Sequence, residues 1–385
     1  MRPELEPLRP RISLMLVVPS LRGGGAERVM STLARCLSRE TFRITLVVVS
    51  MRGAVFHKEL PNDIDLVDCS STGVLRAMPR IVALVWSKRP DVILSTLGHL
   101  NLAIAALRFV LPRSMCTIAR ETNIIGSSLA GNRWRAVWSV LYRLLYPIHD
   151  VVICQSWEMR EDLKRNFSIP VEKMRVLYNP LDTEVIRQLA RTENVYTSRP
   201  KGLISIVAVG RLSFEKGFDL LLKAIQLLPH INLELCILGA GPLENALRQQ
   251  SIEYGVVDRV RFLGFKSNPY PWIAGADAVI FSSRYDSFPN VVLEALACGT
   301  PVIATPARGG VGEILAGVEG CVVAQAISAR SLASAIQGWI AGPRARVSLQ
   351  SVERFGRDRI VAEYESLLIE VQARCQATRG AEWPT

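Results

Sequence analysis

Short, continuous apolar runs alternate along this chain with longer stretches whose apolar side chains recur at helical spacing, and no other feature restricts the fold as much. A strand covered by helices on both faces is apolar at every position, whereas a half-solvated strand alternates. The continuous runs fall at residues 12–19, 43–50, 64–69, 91–95, 115–119, 151–154 and 175–178. The pattern breaks over the polar residues 194–200 and restarts at 203–209, 233–238, 261–263, 278–281 and 302–304. Strands alternating with helices give parallel sheets, and 385 residues is long for one core. The reading is therefore α/β, with two doubly wound, Rossmann-like domains. The first covers residues 1–190 and the second 201–356, joined by a linker over 191–200; a helix over 357–376 and a disordered tail over 377–385 follow. Ligands of such sheets bind beyond the carboxyl ends of the strands, expected here to face each other across a cleft.

The densest chemistry lies in the second half. Asp286 and Glu294 stand eight positions apart around Pro289, a residue well tolerated in the first turn of a helix. The backbone amides of Asn290, Val291 and Val292 then open a helix, and free amides at a helix start seat phosphate. Glu294 sits on an apolar face, where a carboxylate needs a partner. One carboxylate for a sugar hydroxyl, amides for a diphosphate and a second carboxylate for a ribose make a nucleotide-sugar site. Upstream, Gly210, Arg211 and Lys216 follow an apolar strand at the strand-to-helix turn, so two cations meet the place where phosphates bind.

Other positions read less specifically. Gly24 and Gly25 fall between the first strand and a helix, matching neither G-x-G-x-x-G nor a Walker loop. The turn at Gly239 reads equally as structural. His99 follows the strand over 91–95 and is a candidate for meeting sugar or acceptor; Arg120 ends another strand and is a candidate phosphate or acceptor contact. Asp63-Ile64-Asp65 has the D-x-D form of a metal motif but is assigned to chance, and no metal is expected. On a helical wheel Trp134, Val137, Trp138, Leu141 and Leu145 share one face, fit for core packing or for a membrane surface.

Composition narrows the partners. Residues 1–190 carry 26 Lys+Arg against 17 Asp+Glu, while residues 191–385 carry 20 against 18. A basic first half with no nucleic-acid module favours a phosphorylated or lipid-diphosphate acceptor, or an anionic membrane. The polar start over residues 1–7 predicts no signal peptide. The most apolar candidate span, residues 100–111, falls short of the roughly 18–20 residues a membrane helix needs. The eight cysteines lack any C-x-x-C pair and read as small buried hydrophobes of a reducing compartment. The expected location is cytoplasmic, at the inner face of the membrane.

The stretch from Ser282 to Gly299 resembles the E-x(7)-E motif of family 4 glycosyltransferases. Val209-Gly210-Arg211-Leu212 with Lys216-Gly217 is similar to that family's G-R-L-x(3)-K-G segment, and Gly23-Gly24-Gly25-Ala26-Glu27-Arg28 to its amino-terminal glycine loop. Residues 237–243, 262–265 and the Gly309-Gly310 loop with Glu313 fall in the family's order. The resemblance implies the GT-B fold, with the last long helix packing back on the first domain, and a metal-independent transfer with retention of anomeric configuration. It implies that Arg211 and Lys216 hold the diphosphate, that Glu294 takes the ribose and Asp286 the donor sugar, and that Phe265 and Lys266 lie where the base is met. It also implies a UDP-sugar donor, or a GDP-sugar next, and a glycan or polyprenyl-diphosphate-linked acceptor. Two departures stand out: Asp286 replaces glutamate, and a histidine that many relatives carry near position 120 is absent. A catalytically degenerate nucleotide-sugar binder, or a GT-B epimerase or phosphorylase, remains as the alternative.

Overall fold

The computed structural model describes residues 10–195 and 200–379. The amino-terminal segment read for a signal peptide, the middle of the expected linker and the last six residues of the expected tail lie outside the described residues. The chain forms two compact units. The first comprises Met1–Gln155, Arg160–Pro180 and Asp358–Thr385; the second comprises Ser156–Met159 and Leu181–Arg357.

The first unit is built on a seven-stranded parallel sheet of β1 (Ile12–Val18), β2 (Phe42–Val48), β3 (Asp65–Asp68), β4 (Val92–Thr96), β5 (Cys116–Arg120), β6 (Val151–Cys154) and β7 (Met174–Val176), in the order β3-β2-β1-β4-β5-β6-β7. β1 shows why its sequence is apolar throughout. Leu14, Leu16 and Val18 enter one core while Met15 and Val17 enter the other, on the opposite face of the sheet. The helix Arg357–Arg379 lays Ile360, Tyr364, Leu368, Val371 and Cys375 into the first of these cores. This helix runs past its expected end, so Ala377–Arg379, read as the start of a disordered tail, are helical.

That packing also corrects the reading of the cysteines. The buried stripe of the last helix carries Cys375 onto β5, where it is disulfide-bonded to Cys116 across a Cα–Cα distance of 6.2 Å. The other six cysteines are free.

The second unit repeats the topology. β8 (Ile204–Val209), β9 (Leu233–Leu238), β10 (Val260–Gly264), β11 (Ala278–Phe281), β13 (Val302–Ala304) and β15 (Val322–Val323) form a parallel sheet in the order β10-β9-β8-β11-β13-β15. β12 (Tyr285–Asp286) and β14 (Arg308–Gly309) pair separately. The helix Thr183–Ala190, read from sequence as the end of the first domain, belongs to this unit. It packs against the helices Tyr270–Gly275 and Asn290–Ala297. Its cap, Asp182, accepts from the Val185 amide at 3.2 Å and is held by Arg357 at 2.6 Å.

A buried histidine makes the first unit acid-sensitive. His149 is fully buried, with Nε2 3.1 Å from the Asn101 carbonyl oxygen and no partner for Nδ1 among the described residues. Burial lowers its pKa to about 4; the Asn101 bond and Asp150 oppose the shift, and Lys173 and Arg108 reinforce it. An unfolded histidine titrates near 6.5, so below that pH the unfolded chain binds a proton that the folded one refuses. The contribution is present above about pH 6.5 and is lost as pH falls toward about 4, reaching roughly 3 kcal/mol. Denaturation midpoints between pH 7 and pH 4.5 should show this decline, and His149→Gln should flatten it. An unchanged slope in the variant would assign the decline to other groups.

Candidate active site

In the second unit the chain order reverses between β8 and β11, which are sheet neighbours, and crevices at such switch points take ligands. The two loops leaving these strands are clamped together. After Val209 the chain turns at Gly210 and makes a short 3-10 helix, Phe214–Lys216, before the helix Phe218–Gln226. Gly217, between the two helices, has φ +63°, and a Cβ there would lie 2.1 Å from the Ser282 carbonyl oxygen. Ser282 Oγ donates to the Lys216 carbonyl at 2.8 Å, and the Arg284 amide donates to the Glu215 carbonyl at 2.7 Å. The Arg284 guanidinium grips Asp219 through two bonds of 2.8 and 2.6 Å and stacks over the Phe214 ring at 4.2 Å. Bidentate pairing of this kind fixes geometry as well as charge.

The clamp sets Lys216 against Asp286, whose Oδ2 accepts from Lys216 Nζ; the side chains are 25% and 17% exposed. Asp286 is steadied from its other side. It pairs with Gly309 in the β12–β14 ladder, and a Cβ at Gly309, where φ is +121°, would meet the Asp286 carbonyl oxygen at 1.8 Å. Glu158 accepts from the Gly309 amide at 2.6 Å and from Arg308 at 3.2 Å. Arg211 is exposed at the same turn, and its guanidinium has no partner among the described residues.

The neighbouring loops close on this turn. The Gly239 amide donates to the Gly264 carbonyl at 2.9 Å, and the Leu212 amide to the Ala240 carbonyl at 3.0 Å. Phe265, just past β10, stands 74% exposed, with Lys266 exposed beside it. Pro289 precedes the helix Asn290–Ala297, whose face buries Val292, Leu293 and Glu294, the last 7% exposed. The Val292 amide donates to the Pro289 carbonyl at 3.1 Å, which corrects the expectation that it stands free for a phosphate. Asn290 and Val291 remain half-buried at the helix start. Burial pushes the neighbouring Cys298 thiol up to about 12, with the Glu294 carboxylate adding to the shift.

The remaining expected residues lie in the first unit. Gly24 caps the helix Gly25–Cys36, and its space is already taken, since a Cβ there would touch the Glu27 carboxylate, which also accepts from Ser20 Oγ at 2.9 Å. His99 is in the first turn of the helix Gly98–Ala106, and partial burial lowers its pKa, favouring the neutral imidazole. It lines a cavity of about 920 Å³ together with Arg22, Arg52 and Arg76. Arg120 does not reach a ligand. It is fully buried, and its guanidinium donates to Tyr364 at 3.1 Å, Thr96 at 3.3 Å and Asn179 at 2.6 Å. A buried arginine surrounded by acceptors serves the core here, which overturns the acceptor-contact reading. Sequence reasoning passed over Arg22, Arg52 and Arg76, which come from two separate loops and the start of the helix Val74–Lys88 and line one cavity only in the fold. It also passed over the Arg284–Asp219 clamp, although Arg284 lies only two residues before Asp286.

Comparison with known proteins agrees with this fold. The profile of glycosyl transferases group 1 matches residues 193–354, and that of glycosyltransferase family 4 matches residues 23–185. The N-acetylgalactosamine-N,N'-diacetylbacillosaminyl-diphospho-undecaprenol 4-alpha-N-acetylgalactosaminyltransferase of Campylobacter jejuni is 30% identical over 78% of this chain and 82% of its own length. Among solved structures, HepE of Anabaena in complex with UDP superposes with a TM-score of 0.73 at 20% identity, over 93% of this chain and all of that one. Sucrose-phosphate synthase of Thermosynechococcus elongatus reaches 0.79 at 19% identity, over 94% of this chain and all of that one.

Proposed function

The chain belongs to the family 4 glycosyltransferases of GT-B fold, and on that premise we propose that it moves a sugar from a UDP-sugar to a lipid-diphosphate-linked glycan with retention of configuration. The observation that carries the proposal is the unpartnered Arg211 beside the Lys216–Asp286 pair at the β8–β11 switch point. Two cations there meet a diphosphate as the bond from the anomeric carbon to its oxygen breaks. Preorganised cations at developing charge are among the strongest catalytic devices available to a protein. Asp286 orients hydroxyls of the transferred sugar, and its shorter side chain draws that sugar closer than glutamate would. Phe265 offers a face for the base, and Glu294, close to the helix start, accepts from the ribose. The acceptor oxygen attacks from the side of the departing phosphate, which takes up the acceptor's proton, so no metal is required. UDP is favoured because the structurally similar HepE was solved with it. The acceptor class follows the Campylobacter jejuni relative, which acts on a diphospho-undecaprenol-linked sugar.

The test is nucleoside diphosphate release from UDP-, GDP- and ADP-sugars, with and without bacterial lipid extract and with EDTA. Release from a UDP-sugar that requires extract and survives EDTA is expected, and the product anomer should match the donor by NMR coupling. Tight UDP binding without turnover on any extract would point to the degenerate binder. Inversion, or loss of activity in EDTA, would refute the corresponding part of the proposal.

A further inference from the structure

The cavity of about 920 Å³ in the first unit is built at four strand exits. Pro19 and Ser20 follow β1, Val49 and Ser50 follow β2, Ser71 and Thr72 come after β3, and His99 comes after β4. These four strands are neighbours in the sheet, and a crevice at their carboxyl ends is where such sheets take ligands. The volume lies at the upper end of the roughly 300–1,000 Å³ usual for ligand pockets. Backbone bonds strap the loops to one another. The Ser50 amide donates to the Pro19 carbonyl at 3.1 Å, the Val55 amide to the Leu21 carbonyl at 2.8 Å and the Ser71 amide to the Val49 carbonyl at 2.9 Å.

The lining has two chemistries. Arg22, Arg52 and Arg76 make it cationic, and no carboxylate lines it. Arg22 donates to the Arg52 carbonyl at 2.6 Å and Arg76 to Thr72 Oγ1 at 2.7 Å, while the Arg52 guanidinium has no partner among the described residues. Of the acids nearby in sequence, Glu27 accepts from Ser20 Oγ at 2.9 Å and Asp68 from the Ser70 amide at 2.7 Å. His99, kept neutral by partial burial, adds a hydrogen-bonding group and no fourth charge. The rest is apolar: Leu75 and Leu102 line the cavity from the helices Val74–Lys88 and Gly98–Ala106, and Trp138 and Leu141 from the helix Arg135–Leu145. The stripe read from sequence on that last helix therefore divides. Trp138 and Leu141 are half-buried at the cavity, while Trp134 and Val137 stay exposed.

Three guanidiniums exceed what one phosphate needs, and arginine pairs phosphate oxygens two at a time. A bare anion leaves the leucine and tryptophan surface wet, and a saccharide meets it with hydroxyls; an aliphatic chain removes it from water. We propose that the first unit recognises its acceptor by the carrier and not by the glycan. Arg22, Arg52 and Arg76 take the diphosphate, and Leu75, Leu102, Trp138 and Leu141 take the first isoprene units of the chain. This rests on the lipid-diphosphate acceptor proposed above, and it means that a prenyl diphosphate carrying no sugar fills the same cavity and competes with the acceptor.

The test is calorimetric titration of the full chain, without donor, with farnesyl diphosphate, inorganic pyrophosphate and farnesol. Farnesyl diphosphate is expected to bind tighter than farnesol and at least about tenfold tighter than pyrophosphate, the gain from burying about two methylene groups. Arg52→Ala should weaken farnesyl diphosphate and pyrophosphate alike, by about tenfold, as loss of one charge-assisted contact does. Leu75→Gln with Trp138→Gln should weaken farnesyl diphosphate alone. Should that pair lower the thermal midpoint, Leu75→Gln by itself, at a position 80% exposed, keeps the comparison. With UDP-sugar and lipid extract, farnesyl diphosphate should raise the KM for extract and leave kcat unchanged. Absence of binding, or farnesyl diphosphate bound no tighter than pyrophosphate or than farnesol, would overturn the proposal. So would transfer that farnesyl diphosphate does not inhibit. Absence of transfer alongside the expected binding pattern would count against the sugar-transfer reading and leave the carrier site standing.

Discussion

Replacing Arg211 with alanine is expected to lower kcat of sugar transfer about 10²–10³-fold, as removal of one preorganised charge-stabilising donor typically does. The effect should fall on chemistry and not on folding. Arg211 is exposed and its guanidinium has no partner among the described residues, so truncation leaves no buried group unsatisfied and opens no cavity. Lys216 is the informative contrast. Its Nζ is engaged by Asp286, so on the proposed mechanism Lys216→Ala would remove a cation from the diphosphate site and also free the carboxylate proposed to orient the sugar. Lys216→Ala and Asp286→Ala should therefore be strongly non-additive in kcat, whereas Arg211→Ala combined with Asp286→Ala should be closer to additive. The measurement is steady-state release of nucleoside diphosphate at saturating acceptor, with the thermal midpoint recorded for each variant. A kcat for Arg211→Ala within about threefold of the parent would remove Arg211 from the machinery and leave Lys216 alone to meet the charge.

The fold was legible because both faces of each long strand are buried. Leu14 and Met15 point into different cores, so β1 had to be apolar at every position, and the same holds for the central strands of the second sheet. What escaped was short or relational. β12, β14 and β15 are two residues each, too brief to leave a periodic signal, yet β12 carries Asp286. The helix Thr183–Ala190 is amphipathic, but amphipathicity does not say which unit takes the apolar side. Arg120 looked like a ligand contact because it ends a strand; the tyrosine that claims it is Tyr364, 244 residues away. The stripe from Trp134 was equally visible in the sequence, but periodicity locates an apolar face without saying whether protein covers it. Arg211, Lys216 and Asp286 were legible for a different reason. Arg211 adjoins Gly210 and Lys216 adjoins Gly217 in the loop after β8, and Asp286 stands three residues before Pro289 in the loop after β11; such loops are where these sheets bind ligands.

Gly239→Ala should cost about 3–5 kcal/mol of stability from combined overpacking and backbone strain. Its φ of +140° is a conformation that side-chain-bearing residues rarely adopt, and a Cβ there would stand 1.9 Å from the Gly210 carbonyl oxygen. The obstructing atom is backbone, so it cannot rotate aside as a side chain would. Relief requires the turn after β9 to lift from the turn after β8, breaking the Leu212–Ala240 bond and moving Arg211 with it. Nucleotide affinity should therefore fall along with stability if, as proposed, the diphosphate is held at that turn. Gly255 supplies the control: its φ is +65°, but a Cβ would meet nothing within 4 Å, so Gly255→Ala carries only the left-handed backbone cost of roughly 1–2 kcal/mol. Urea denaturation gives the stabilities, and calorimetric titration with UDP gives the affinities. A Gly239→Ala protein no less stable than Gly255→Ala, with UDP affinity intact, would show that the two turns move independently and that their close approach does not shape the site.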